Sequence, residues 1–436
     1  MAVYICDEMM GRGKTQAAIR YMNRLGTGEN PTRRFIYVTP YKDEYMRIIR
    51  DCPDCHFDTP ADYPSKIFNI VNLLKAGRNI ASTHQLFASY TPEIVQLIKD
   101  QHYTLIMDET FEVIAPMEKI TPADVRDLMQ RNMIAMEPES YRVRWLDKDY
   151  DGDTFRDMML RAQSGTLLYY DDQFLFWMFP IEVFKAFDDA IVLTYLFDAQ
   201  NQRYYFEINN VKYNYIGVHR VDGDYAYEFC SLDQETPAKA PLNSLITVID
   251  KPKLNAIGSK RISRPELDKT MSASYFEKHA HDKKFFDTCG RNIYNVFHNY
   301  CSALSGQTMW SVLQKYQEHI DTRRYNDDYV ACTCRATNDY KNRIYLAYLR
   351  NIFMQPYLAR YYREHGCDVN EERFALAEFV QWVWRSAIRD GGQIMLYLPP
   401  QRMRHIFTQW MDDITNGRDA RRMGEHNDER ILLGTT

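Results

Sequence analysis

Apolar residues gather into short runs that stop abruptly at a polar or glycine-bearing turn. Val3 to Cys6, Phe35 to Val38, Tyr103 to Met107 and Ala190 to Tyr195 are such runs, and Ile80 to Gln85 reads as a further strand and turn. They are too short for helices and too uniformly apolar for half-exposed strands, so they predict strands buried on both faces of a parallel sheet. Residues 115 to 180 mix Met, Arg and acidic residues in helix-like patterns, including Pro122 to Met136, and end in the aromatic cluster Phe174 to Phe179. This stretch reads as an insertion in the first domain. From Arg203 to Phe229 apolar and polar residues alternate, with Asn209-Asn210 and Asp222-Gly223 as turns, which predicts an antiparallel meander.

Leu232 to Lys269, rich in Pro, Lys, Asn and Ser, reads as the connection between domains. Beyond it, Tyr329 to Cys334 and Ile394 to Leu398 are strand-like, and Glu371 to Arg389 has the pattern of an amphipathic helix closed by Asp390-Gly391-Gly392. The fold class expected is α/β, with parallel sheets, a helical and aromatic insertion and an antiparallel meander. The expected division is 1–199, with the insertion near 115–180, then 200–285 as meander and linker, then 286–436.

A chain of 436 residues can bury a core in each of two or three such domains. Its net charge of −5 argues against a basic coat for nucleic acid, while leaving room for a local basic channel. The 32 tyrosines are explained first by aromatic cores and sheet faces. No apolar run has the length of a membrane span, and a core strand begins at residue 3, so a cytoplasmic protein without a signal peptide or membrane partner is expected. The 9 cysteines, Cys52, Cys55, Cys332 and Cys334 among them, then read as reduced thiols.

Chemistry enters at the first strand. Gly13-Lys14-Thr15 ends the phosphate-loop pattern G-x-x-x-x-G-K-[ST], but Glu8 stands where its first glycine belongs and Gly11 supplies that glycine further in. Backbone N–H groups from Gly11 through Arg12 and Gly13 to Lys14, Thr15 and Gln16 would hold a polyphosphate at a helix start. Lys14 would reach its terminal groups and Thr15 would ligate Mg²⁺. The run Tyr103 to Met107 ends in Asp108-Glu109, a pair of carboxylates that is costly at a buried strand end unless it meets a cation or water. Asp108 then reads as a metal ligand through water, and Glu109 as the group that orients the attacking water. Gln381, Arg385 and Arg389 recur every fourth residue, which would set all three on one helix face where guanidinium groups need an anionic partner.

The order of these motifs resembles a DEAD/DEAH-like superfamily 2 helicase of the bacteriophage and prophage type. The resemblance runs from residue 3 to about residue 414, weakly over 115–180 and 200–285. It implies two RecA-like domains, ATP and Mg²⁺ as cofactors, and movement along a nucleic-acid strand, DNA in phage replication or recombination, within the host cytoplasm and alongside replication proteins. Gly11 to Thr15 would be motif I and Asp108-Glu109 motif II. Thr39, Pro40, Ser82, Thr83, Arg335 and Thr337 would contact the nucleic-acid backbone, and Gln381 to Arg389 would be motif VI. Trp384 replaces the family's glycine there, and the second arginine is one residue late, which leaves Arg385 and Arg389 both open as the arginine finger. Leu193-Thr194 would be a divergent motif III.

Two other classes fit parts of the pattern. A phage packaging ATPase joined to a nuclease would need acidic clusters in the second half, where Asp327-Asp328 and Asp412-Asp413 stand. A nucleotide-gated binding or loading protein would keep the loop and lack stimulated turnover.

Overall fold

In a computed structural model of the chain the residues described are 1–26, 33–117, 119–221, 226–232, 241–257, 263–332 and 339–417. The apolar runs become β1 (Ala2–Asp7), β2 (Arg34–Thr39), β3 (Ile80–Thr83) and β4 (Tyr103–Asp108). The insertion adds β5 (Ile114–Pro116), β6 (Ile134–Met136), β7 (Val143–Trp145), β8 (Leu167–Tyr170) and β9 (Phe174–Met178). After it come β10 (Asp189–Thr194), β11 (Asn214–Arg220) and β12 (Tyr227–Cys230). The second half supplies β13 (Ile246–Val248), β14 (Thr308–Ser311), β15 (Tyr345–Tyr348) and β16 (Ile394–Tyr397).

The chain divides into two units. The first comprises Met1–Ile5, Ala18–Asn214 and Gln355–Val369, and the second comprises Cys6–Ala17, Tyr215–Met354 and Asn370–Thr436. In the first unit the strands run in the order β1-β10-β4-β2-β3, and the pairs β10/β4, β4/β2 and β2/β3 are parallel. Phe35 to Val38, Leu105 to Met107 and Ala190 to Leu193 are fully buried, as two-sided cover by crossover helices requires.

The insertion holds its own small core, in which Val125, Leu128, Ile134, Val143, Met158, Leu167 and Tyr169 pack together. Its helix Pro122–Gln130 starts in a capping box, with the Thr121 side chain accepting from Asp124 N and the Asp124 carboxylate accepting from Thr121 N. Beside it β8, β9 and β5 form an antiparallel sheet whose aromatic residues receive the helix Pro356–Glu364. Phe174 stacks on Tyr357 at 4.5 Å, and Phe176 meets Tyr361 edge-on at 5.3 Å.

Two local readings change. Arg203 begins no meander: Asn201–Ile208 is a helix, and the antiparallel pairing is the hairpin of β11 with β12. Tyr204 stacks toward Tyr362, Tyr205 donates to Phe179 O, and Phe206 meets Phe184. Three successive aromatic residues thus fan out to three neighbours, which a helix permits and the two faces of a strand do not. Tyr329 joins Trp310 through an isolated bridge, and residues 333–338 lie outside the described residues.

In the second unit β13-β16-β15-β14 form a wholly parallel sheet. The stretch read as an interdomain connection therefore contributes an edge strand, Ile246–Val248. One face carries Phe276, Phe286, Cys289, Ile293, Trp310 and Tyr397. On this face the helix Lys283–Tyr294 approaches the chain so closely that a Cβ on Gly290 would lie 2.2 Å from the Asp321 carbonyl oxygen. Asp328, 4% exposed, accepts from Gly306 N, from the hydroxyls of Ser305 and Thr308, and from Arg343 Nη1 at 2.8 Å.

These contacts make opposite demands to intrinsic preference. Helix propensity alone favours Gly290→Ala by about 1 kcal/mol, whereas the backbone collision costs about 1–3 kcal/mol. The thermal unfolding midpoint of the variant is expected to fall. Asp328→Ala strands a largely buried guanidinium and three donors, and is expected to cost about 3 kcal/mol in urea unfolding; Ser305→Ala, which removes one long hydrogen bond, should cost less than about 1.5 kcal/mol.

Candidate functional site

β1 ends in the buried carboxylates Asp7 and Glu8, and the chain then rises through Met9 to Gly13 into the helix Lys14–Leu25. Gly11 and Gly13 have φ of 80° and 86°, the left-handed region that side chains rarely adopt. The first bond of the helix runs from Ala17 N to Gly13 O at 2.9 Å. The N–H groups of Lys14, Thr15 and Gln16 therefore have no carbonyl of their own helix to donate to, and with the helix dipole they form an end suited to an anion. Lys14 Nζ turns back over the loop and donates to Glu8 O at 2.5 Å and Met9 O at 3.3 Å. The ammonium is thus held above the same turn. This donor set would suit the phosphates of a nucleotide, and Thr15, next along the helix, would offer a hydroxyl to a divalent cation.

The loop has two close neighbours within the second unit. A Cβ on Gly11 would meet the Arg389 carbonyl oxygen at 3.8 Å, and one on Gly13 would fall 2.3 Å from Cγ of the Tyr227 ring. Glycine at 13 is therefore required twice, by its φ and by the aromatic ring laid against it. Tyr227 carries no sequence signal; only the hairpin places it there.

Arg389 does not share a helix face with Gln381 and Arg385. The helix Glu371–Val383 stops at Trp384, so only Gln381 lies on it. The Ser386 hydroxyl donates to Val383 O at 2.7 Å while its backbone turns extended, and a short turn, Ala387–Asp390, closes on Gly391 at φ 78°. A serine bonding back to the preceding turn and a left-handed glycine are both ways a helix ends, and they break the four-residue spacing. Arg385 is 6% exposed, whereas Arg389 reaches the surface. Ala387 N donates to Arg343 O at 3.0 Å, so the arginine-bearing turn is tied to the residue that pairs with Asp328. Asp328 is fully engaged in that network, and Asp412 accepts from Asn243 Nδ2. Arg335 and Thr337 lie outside the described residues.

The acidic pair belongs to the first unit. Val38 pairs with Met107 and Thr39 with Thr83, so Thr83, Thr39 and Asp108 form one row across three strands. Tyr37, two residues before Thr39 and hence on the same face, lies beside Asp108. Burial, and after it the Asp108 charge, holds its phenol protonated with a pKa well above the usual value. Asp108 and Glu109 are both partly exposed. An acidic pair reachable from solvent at a strand end would suit a hydrated divalent cation.

Thr39 and Ser82 are buried, Pro40 and Thr83 are partly exposed, and the Thr83 hydroxyl caps the helix His84–Phe87 by accepting from Leu86 N. Thr39 Oγ1 and Thr194 Oγ1 are buried hydroxyls without a hydrogen-bond partner among the described residues.

Glu109 has φ 63° and donates its N–H to Leu193 O at 2.9 Å. The two residues after it are held from the side. Thr110 Oγ1 donates to Gln200 Oε1 at 3.0 Å, and Phe111 N to Gln202 Oε1 at 2.8 Å. Sequence reasoning missed Tyr37, Gln200 and Gln202. The trace of the glutamines in the sequence is a run of three amides, Gln200-Asn201-Gln202, set between the aromatic residues Tyr195 and Phe206.

Comparison with known proteins adds the family. Residues 240–411 match the model described as the YonV C-terminal Rossmann-like domain, which agrees with the parallel sheet of the second unit. Among solved structures the chain is similar to an XPD helicase, with TM-score 0.45 and 10% identity, 95% of each chain being covered. It is also similar to S. tokodaii Xpd4, with TM-score 0.44 and 9% identity over 94% of each. The SPbeta prophage-derived uncharacterized protein YonV of Bacillus subtilis (strain 168) is 32% identical over 422 residues, 94% of this chain and 99% of the relative. At that identity and coverage, the chain belongs to the YonV family.

Proposed function

We propose that the chain is a nucleic-acid-stimulated ATPase of the helicase or translocase type, acting on DNA in the replication or recombination of a phage genome. One observation carries the reading. A G-x-G-K-T loop lies at a helix start with both glycines left-handed, and the Arg389 turn abuts Gly11. The prophage origin of the B. subtilis relative supports the phage setting.

In this reading the N–H groups from Gly11 to Gln16 and the Lys14 ammonium bind the β- and γ-phosphates of ATP. Mg²⁺ would offset the charge of those phosphates, with the Thr15 hydroxyl assigned as its ligand in the loop and Asp108 assigned as a ligand through water. Glu109 accepts a proton from, and aligns, the attacking water. Of the two arginines, Arg389 is assigned the stabilising role at the transferring phosphate, because it reaches the surface on a turn that touches the phosphate loop. Arg385, almost fully buried, braces that turn. Gln381 stands at the last helical turn before it. Backbone grip on nucleic acid is assigned to the strand-end loops at Pro40 and Thr83 and to the segment with Arg335 and Thr337. Phosphate contacts of that kind do not depend on base sequence.

Lys14→Ala and Glu109→Gln are each expected to lower ATP turnover stimulated by single-stranded DNA by at least about 100-fold while leaving the circular dichroism spectrum unchanged. Full turnover in both would refute the ATPase reading, and binding of nucleotide without stimulated turnover in the parent protein would identify a gated binding protein instead. The arginines separate by a second pair of measurements. Arg389→Ala is expected to cost about 1,000-fold in turnover with no change in unfolding midpoint. Arg385→Ala is expected to lower that midpoint by several degrees, as loss of a buried side chain does in a domain of this size.

A further inference from the structure

We infer that Gln200 and Gln202 are positioning residues that hold Glu109 in its left-handed conformation and thereby set where its carboxylate stands. The inference rests on the hydrolytic reading above and deepens it. Two neighbouring parallel strands, β4 and β10, leave the sheet through non-glycine residues with positive φ, Glu109 at 63° and Leu196 at 56°. Neither is a comfortable backbone for a side-chain-bearing residue, so each persists only if its surroundings fix it.

Gln200 spans the two exits. Its Oε1 accepts from Thr110, the residue after Glu109, and its Nε2 donates to Tyr195 O, the residue before Leu196, at 3.1 Å. Gln202 fixes the next residue along, accepting from Phe111 N, while its Nε2 points at Met107 Sδ at 3.6 Å. Gln202 is 0% exposed, and it sits among Tyr204, Tyr205 and Phe206, where an apolar side chain would pack without the cost of burying an amide. Both oxygens are spent on the two residues that follow the carboxylate. Without them the hydrogen bond from Glu109 N to Leu193 O holds the turn with less support, and relaxation of Glu109 to a right-handed backbone would swing its side chain to another direction.

A merely structural staple would change stability. A positioning residue changes turnover at constant substrate affinity. The test uses the full chain with Gln202→Leu and Thr110→Val, the latter removing a single hydroxyl so that misfolding is not at issue, and Gln202→Glu, which keeps an acceptor for Phe111 N. ATP turnover with single-stranded DNA is measured against ATP concentration, and amide hydrogen exchange is followed over 109–111. Expected are a fall of about tenfold in kcat for Gln202→Leu and Thr110→Val with KM for ATP within about threefold, faster exchange over 109–111, and recovery of most of kcat in Gln202→Glu.

Unchanged kcat in the Leu and Val variants, with the parent protein active, overturns the brace and leaves the ATPase reading standing. So does a rise in KM matching the loss of kcat, or the same loss in Gln202→Glu. A parent protein without ATP turnover overturns both.

Discussion

A strand covered on both faces can place a polar group in contact with anything but its own core only where it leaves the sheet. That constraint decides where this chain can do chemistry. The middles of β1, β2, β4 and β10 are buried and mostly apolar, and their last residues are Asp7, Thr39, Asp108 and Thr194. In the parallel strands β2, β4 and β10 the residues at the carboxyl end are Thr39, Asp108 and Thr194, so the acidic pair stands where the sheet gives way to its loops.

Leaving a packed sheet sharply requires unusual backbone, and the chain solves this in two ways. In the phosphate loop the turn uses Gly11 and Gly13, and the absence of side chains admits Tyr227 and the Arg389 carbonyl against the loop. After β4 and β10 the turn uses Glu109 and Leu196, which must be held. Glycine suits this loop, since a side chain at Gly13 would fill the space the Tyr227 ring occupies. After β4 the turn residue is Glu109 and not glycine, and there the strain is opposed by side-chain hydrogen bonds to the residues that follow it.

The parts legible in the sequence were those set by local pattern. Fully buried strands show as uninterrupted apolar runs, so β2, β4 and β10 were found nearly to the residue, and Gly13-Lys14-Thr15 and Asp108-Glu109 declare themselves by residue type. What failed was the reading of period where two periods coincide. Gln381, Arg385 and Arg389 keep helical spacing across a helix end that a serine hydroxyl and Gly391 impose, and the aromatic run at Tyr204 to Phe206 mimics a strand's alternation. What was invisible depended on partners distant in sequence. Gln200 reaches back 90 residues to Thr110, and Asp328 draws in Arg343 and both sides of a loop, which marks it as structural and not as a metal-binding carboxylate.

Several tyrosines serve the same long-range economy. Tyr103 donates to Arg78 O, Tyr205 to Phe179 O and Tyr325 to Ala303 O, each from a buried ring whose hydroxyl ends on the carbonyl of a connecting segment. Such a residue fills the core with its ring and pins a loop with its tip, and a phenylalanine could do only the first. Tyr37 has the same ring in the same sheet, but its phenol lies beside the Asp108 carboxylate instead of a loop carbonyl, and burial keeps it protonated. A neutral phenol there fills the space beside the acid without adding charge.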